Sequence, residues 1–156
     1  MSGISSMKLF VLLSLLLACR QVQAQCPATV TTNCVSWALA GGNQQSLHAT
    51  IRIRDENGNP VNGAEVMFTP DQPKGKVAGQ NKYGVDDTTS TTSSSYQDEI
   101  DAQCPTDADP YSGTTSAICW QKIYSGVYSI EVTNVIVPGC SGTTFDATNN
   151  LWTYTN

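Results

Sequence analysis

Residues 46–69 read "SLHATIRIRDENGNPVNGAEVMFT", and this stretch sets the fold class. Its first half alternates with period two. Leu47, Ala49, Ile51 and Ile53 fall on one face, and His48, Thr50, Arg52 and Arg54 on the other, the pattern of a half-buried strand with a wet side. The reading therefore expects His48 and both arginines at solvent. "ENGNP" then supplies a tight turn: Gly58 takes positive φ, Asn57 and Asn59 tolerate it, and Pro60 cannot donate to a ladder. After Gly63 the chain returns as a second strand, with Val66 and Phe68 opposite Glu65 and Met67. Corner chemistry accounts for all of it, so the stretch reads as a corner and not as a site.

Working outward, the chain of 156 residues opens on Lys8, the apolar run "LFVLLSLLLA" (residues 9–18) and "VQA" ending at Ala24. A charged start, a short apolar core and small residues before a cleavage point describe a secretory signal peptide over residues 1–24. "LLAC", residues 16–19, offers the competing pattern of a lipid anchor at Cys19. Removing residues 1–24 takes away Lys8 and Arg20 but no acid, so the formal charge of −5 becomes more negative. An acidic surface disfavours a nucleic-acid partner, and no second apolar run suggests a membrane span.

Cys26, Cys34, Cys104, Cys119 and Cys140 follow the expected leader, and disulfides are the default in a secreted chain. No Cys-x-x-Cys pair occurs and His48 is the sole histidine, so zinc spacing is missing. The small loop between Cys26 and Cys34 favours that pairing. An odd number leaves one thiol free, buried and unpaired, or bridging to another molecule as a covalent dimer.

Residues 25–45 read as a cysteine-bearing N-terminal segment whose Trp37 and Leu39 pack on the main domain, residues 46–156. From about 70 to 103 the composition turns polar, and "DDTTSTTSSSYQDEIDAQ" reads as a long mobile insertion. Strand patterns return in "AICWQKI" and "SGVYSIEVTNVIV", where Tyr128, Ile130 and Val132 alternate with polar neighbours. Phe145, Leu151, Trp152 and Tyr154 mark one or two closing strands. Several short strands with turn punctuation and no amphipathic helix give an all-β sandwich.

The corner Asp55, Gly58, Pro60, Val61, Gly63, Ala64, Val66, the strand residues Gly126, Tyr128, Val132, and the ending Phe145, Asp146, Asn150 together resemble an immunoglobulin-like module. Such modules are appended to secreted and cell-surface proteins of the invasin and carboxypeptidase-appendage kind. The resemblance spans roughly residues 47–150, with a longer central connection and a wider cysteine separation than that pattern. It implies an antiparallel immunoglobulin-like β-sandwich carrying a long Ser/Thr-rich acidic loop. It also implies a Cys104–Cys119 hairpin disulfide, which leaves Cys140 as the unpaired cysteine, and it brings no catalytic residue.

Chemistry is sparse elsewhere. A hydrolytic triad needs a base, and His48 sits mid-strand beside no nucleophile elbow. Nothing positions a carboxylate pair across a cleft, phosphate-loop and dinucleotide fingerprints are missing, and no cofactor is implied. Asp86, Asp87, Asp98, Glu99 and Asp101, with Asp107 and Asp109, form an acidic loop able to attract calcium, but without the Gly-centred order of a hand-type site. Trp37, Trp120, Trp152 and Tyr154 serve either as core or as a stacking platform for sugars. The sequence thus points to a secreted, non-catalytic structural or adhesion module meeting extracellular matrix, glycan or a mineral surface. A carbohydrate- or surface-binding module using exposed aromatics is the alternative, and a small secreted enzyme the second.

Overall fold

The computed structural model describes residues 25–40, 42, 46–73, 89–94, 104, 111–116, 118–120 and 123–156. The expected leader, Cys19 and the seven acidic-loop residues lie outside the described residues.

Nine strands and no α-helix occur among the described residues: β1 (Thr29–Ala40), β2 (Ser46–Asp55), β3 (Glu65–Asp71), β4 (Thr89–Ser93), β5 (Thr114–Thr115), β6 (Ile118–Trp120), β7 (Val127–Ile136), β8 (Thr144–Asp146) and β9 (Leu151–Thr155). They form one curled sheet, a half-barrel, ordered β8-β1-β2-β5-β4-β3-β7-β9, with β6 paired to the near end of β2. β4 makes the curl. Thr89–Thr91 pair with β3, while Thr92 and Ser93 pair with β5. The all-β expectation holds, and the architecture is this curled sheet.

β1 is integral to the sheet, running antiparallel to β2 from Val30↔Asp55 to Ala40↔Ser46, with a bulge between Thr32 and Cys34. Val35, Trp37, Leu47, Ala49, Ile51, Ile53, Val66, Phe68, Ile118, Trp120, Tyr128, Ile130 and Val132 fill the concave interior. Trp37 stacks on Trp120 and on Tyr154 with ring centroids 5.7 Å apart in each case, and Trp120 meets Tyr128 edge-on. The alternating pattern of β7 places Tyr128, Ile130 and Val132 inward as expected.

Three expectations fail, each for a physical reason. The polar face of β2 is not wet: Thr50, Arg52 and Arg54 are buried, Arg52 fully, and His48 is half-buried. β2 is central, with β1 on one side and β5 and β6 on the other, and Cys104 is bonded onto this face at Cys34, opposite Arg52. Period two reports two different faces, and here both are covered. Arg54 Nη1 donates to the carbonyls of Ser112 (2.8 Å) and Ile53 (3.1 Å), and Ser36 and Thr50 share a buried hydroxyl bond of 2.6 Å.

Second, part of the Ser/Thr run is strand, not loop. Thr is β-branched and suits a pleated surface, and Thr92 turns inward to bond backbone. Third, the cysteines pair as Cys26–Cys140 and Cys34–Cys104, leaving Cys119 as the free thiol. Neither Cys26–Cys34 nor Cys104–Cys119 forms, and Cys140 is not unpaired. Cys34 lies in β1 and Cys26 just ahead of it; at ~3.3 Å per strand residue their Cα atoms stand ~25 Å apart, far beyond disulfide reach. The parallel pairing of Thr29–Thr31 with Thr144–Asp146 instead carries Cys26 to Cys140, with Cα atoms 5.5 Å apart. Cys119 lies opposite His48 while Cys34 lies opposite Arg52. That offset along β2 is ~13 Å, which keeps Cys119 from the bonded Cys104.

Candidate functional site

The corner after β2 is a polar knot. Asp55 Oδ1 accepts from the backbone N–H groups of Asn57 (2.9 Å) and Asn59 (2.7 Å), and its Oδ2 from the Asn59 side chain (2.9 Å). Desolvation pushes the Asp55 carboxyl up, but the Asn59 and Asn57 bonds together outweigh it and hold it below the usual carboxylate range. Glu56 reaches across to the start of β1 and accepts from the Ala28 and Thr29 N–H groups. A bond from its own backbone N–H, followed by those from Thr29 and Ala28, lowers its pKa as well.

Deeper in the corner, Thr92 Oγ1 donates to Val61 O (2.6 Å) and accepts from Ala64 N (2.9 Å). Asn62 Oδ1 accepts from Gly113 N (2.6 Å) and Ser112 Oγ (3.0 Å). Gly113 is required there. Its φ is +69°, and a Cβ would lie 2.8 Å from both Ile53 O and Val61 N. Asp55 closes the turn itself and the other groups tie neighbouring segments together, as the sequence reading of a corner expects.

Among the described residues, one groove open to a ligand has a volume of about 370 Å³ and lies where β1 faces β9, lined by Thr31, Thr32, Asn33, Asn149, Leu151 and Trp152. The β1 bulge exposes Asn33 there. Leu151 is 60% exposed, and Trp152 is half-buried with Nε1 donating to Asn149 O (3.1 Å), which fixes the indole. Thr32 is 3% exposed, and its Oγ1 has no hydrogen-bond partner among the described residues. Hydroxyls, amides and one ring make the groove neutral. It suits a hydroxyl-bearing ligand and contains no acid, base or nucleophile pair.

The structure disperses the proposed sugar platform. Trp37 and Trp120 are core residues at 7% and 0% exposure, Tyr154 stacks on Trp37 from the half-buried end of β9, and Trp152 alone of the four reaches the groove. The bulge, which makes the groove, has no glycine or proline to announce it in the sequence. Among the described residues no cluster of three or more His, Cys, Asp or Glu side chains converges to hold a metal, and no helix is long and apolar enough to cross a membrane. Cys119 is half-buried across from His48, and burial pushes its thiol pKa up, away from the reactive thiolate. No family model, curated protein or solved structure matches this chain.

Proposed function

We propose that this chain is a secreted, non-catalytic structural or adhesion domain of immunoglobulin-like type, a component of an extracellular matrix. The supporting observation is what its polar groups do. Arg54, Glu56, Asn62 and Thr92 tie separate segments of the sheet together and Asp55 closes the turn after β2, and two disulfides pin the sheet. A framework of that kind suits an oxidising compartment. For the immunoglobulin-like assignment, Tyr128 supplies support. At the start of β7 its hydroxyl accepts from Tyr124 N (2.6 Å) and donates to Tyr124 O (3.2 Å), the bond back to upstream backbone that marks a tyrosine corner in such sandwiches.

Stepwise extraction of the producing organism's extracellular material tests this reading. Release only by chelator, acid or reductant is the expected result, and free solubility in the medium would overturn it. The groove favours a second reading, binding of a neutral glycan against Trp152. A glycan screen comparing wild type with W152A tests that one, and equal binding by both would remove it.

A further inference from the structure

We propose that the Cys26–Cys140 disulfide makes this domain a mechanical link: tension entering at residue 25 and leaving at residue 156 bypasses nearly the whole fold. The proposal deepens the structural reading and takes from it only the premise that the domain is pulled in use. The bypass itself is measurable without that premise.

Strand polarity comes first. Each neighbour along β1-β2-β5-β4-β3-β7-β9 is antiparallel, and following the alternation makes β9 run the same way as β1. Side-chain neighbours across the groove agree: Leu151 and Trp152 sit beside Thr31–Asn33, and Tyr154 stacks on Trp37. β8, which feeds β9, is also parallel to β1. Gln25 therefore lies at one end of the sheet and Asn156 at the other. Load along that axis pulls β9 lengthwise against β7, through the whole Val127↔Thr155 to Glu131↔Leu151 ladder at once. The Gly126–Asn156 pair of backbone bonds extends that ladder.

The covalent path comes second. From Cys26 the load crosses the sulfur–sulfur bond to Cys140, which closes a loop of sequence separation 114. β1 to β7 lie inside that loop and carry no tension through their chain. Only the segment from Cys140 to Asn156 can be drawn out, ~55 Å at ~3.5 Å per residue. In the fold Cys140 is held beside Cys26 and Tyr154 stacks on Trp37, so Cys140 and Asn156 already stand ~40 Å apart, and peeling the segment adds less than ~20 Å.

Without the bond the outcome differs several-fold. The second disulfide, of separation 70, still locks its own loop. The released chain is the difference between separations 114 and 70, ~150 Å of new length at ~3.5 Å per residue. The two bonds also differ in access. Cys26 is exposed and Cys140 half-buried, whereas Cys34 and Cys104 are each 3% exposed. The bond that carries load is thus the one a reductant can reach.

The test is single-molecule force spectroscopy on the full chain, with handles attached at Gln25 and Asn156. Oxidised wild type should lengthen by less than ~20 Å, and C26A/C140A by ~170 Å. Because that variant could fail to fold, wild type is also held at constant force while dithiothreitol is added. A step of ~150 Å should come first, followed by one of ~245 Å as the inner loop opens. Extension of oxidised wild type beyond ~100 Å would overturn the proposal, as would a single step of ~400 Å on reduction, the sign that the buried inner bond opened before the outer one. Failure of the matrix extraction would remove the structural reading and leave these lengths unchanged.

Discussion

Replacing Thr92 by valine tests the corner most sharply, because valine matches threonine in shape and removes only the hydroxyl. Thr92 is 3% exposed, and its Oγ1 both donates to Val61 O and accepts from Ala64 N. T92V leaves the ladder bonds from Thr92 N to Ala64 O and from Gly63 N to Thr92 O in place. It strands a donor on Ala64, which is fully buried, and an acceptor on Val61. A buried backbone group left without a partner costs ~1–3 kcal/mol, so the two together cost ~2–6 kcal/mol. Against a total stability of ~5–15 kcal/mol that is a large share. Urea unfolding of the oxidised protein reads it out. With a slope of ~1.5 kcal/mol per molar, the midpoint should fall by ~1.3–4 M at unchanged slope. T92S, which keeps both bonds and loses one methyl, should cost less than ~1.5 kcal/mol. Equal midpoints for T92V and wild type would refute the claim that this hydroxyl ties the corner. So would T92S falling as far as T92V.

G113A should lose at least ~2 kcal/mol, since it combines left-handed backbone with a Cβ driven into Ile53 O and Val61 N; a thermal scan unchanged from wild type would contradict this. Asp55 has a depressed folded pKa, so its contribution is present above the unfolded value and is lost as pH falls through the folded one. The stability gap between wild type and D55N should therefore be widest near neutrality and close on acidification, and a gap independent of pH would count against the Asn59 and Asn57 bonds as its cause. The raised thiol pKa of Cys119 predicts alkylation by iodoacetamide at pH 8 several-fold slower in the native state than after unfolding; equal rates would show an accessible thiolate.

The strands legible in the sequence were those whose alternation is driven by bulky side chains. β2 alternates Leu47, Ala49, Ile51 and Ile53 with polar residues, β3 places Val66 and Phe68 two apart, and β7 does the same with Tyr128, Ile130 and Val132. The corner was legible too, because Gly58, Gly63 and Pro60 constrain the backbone locally. What escaped depends on partners far along the chain. Arg52 and Arg54 read as solvent residues because charge at period two marks a wet face, yet β2 is covered on both sides by its place in the sheet order. The disulfides escaped because proximity in sequence is opposed by strand extension: Cys26 and Cys34 are near in sequence and far apart in space, while the parallel β1–β8 pairing joins Cys26 to the distant Cys140. Thr89–Ser93 escaped because its inward group is a hydroxyl, bonded to backbone that the sequence could not place nearby. Of the groove, Trp152 was in view, while the Thr32–Cys34 bulge that shapes its other wall was not.

The central claim is a disulfide-pinned extracellular framework, and the most direct measurement is peptide mapping of the unreduced protein recovered from the producing organism's extracellular fraction. The account requires peptides joined as Cys26–Cys140 and Cys34–Cys104, with Cys119 carrying the alkylating label. Peptides joined as Cys26–Cys34 or Cys104–Cys119, or recovery of the chain from the cells with all of its thiols reduced, would contradict it.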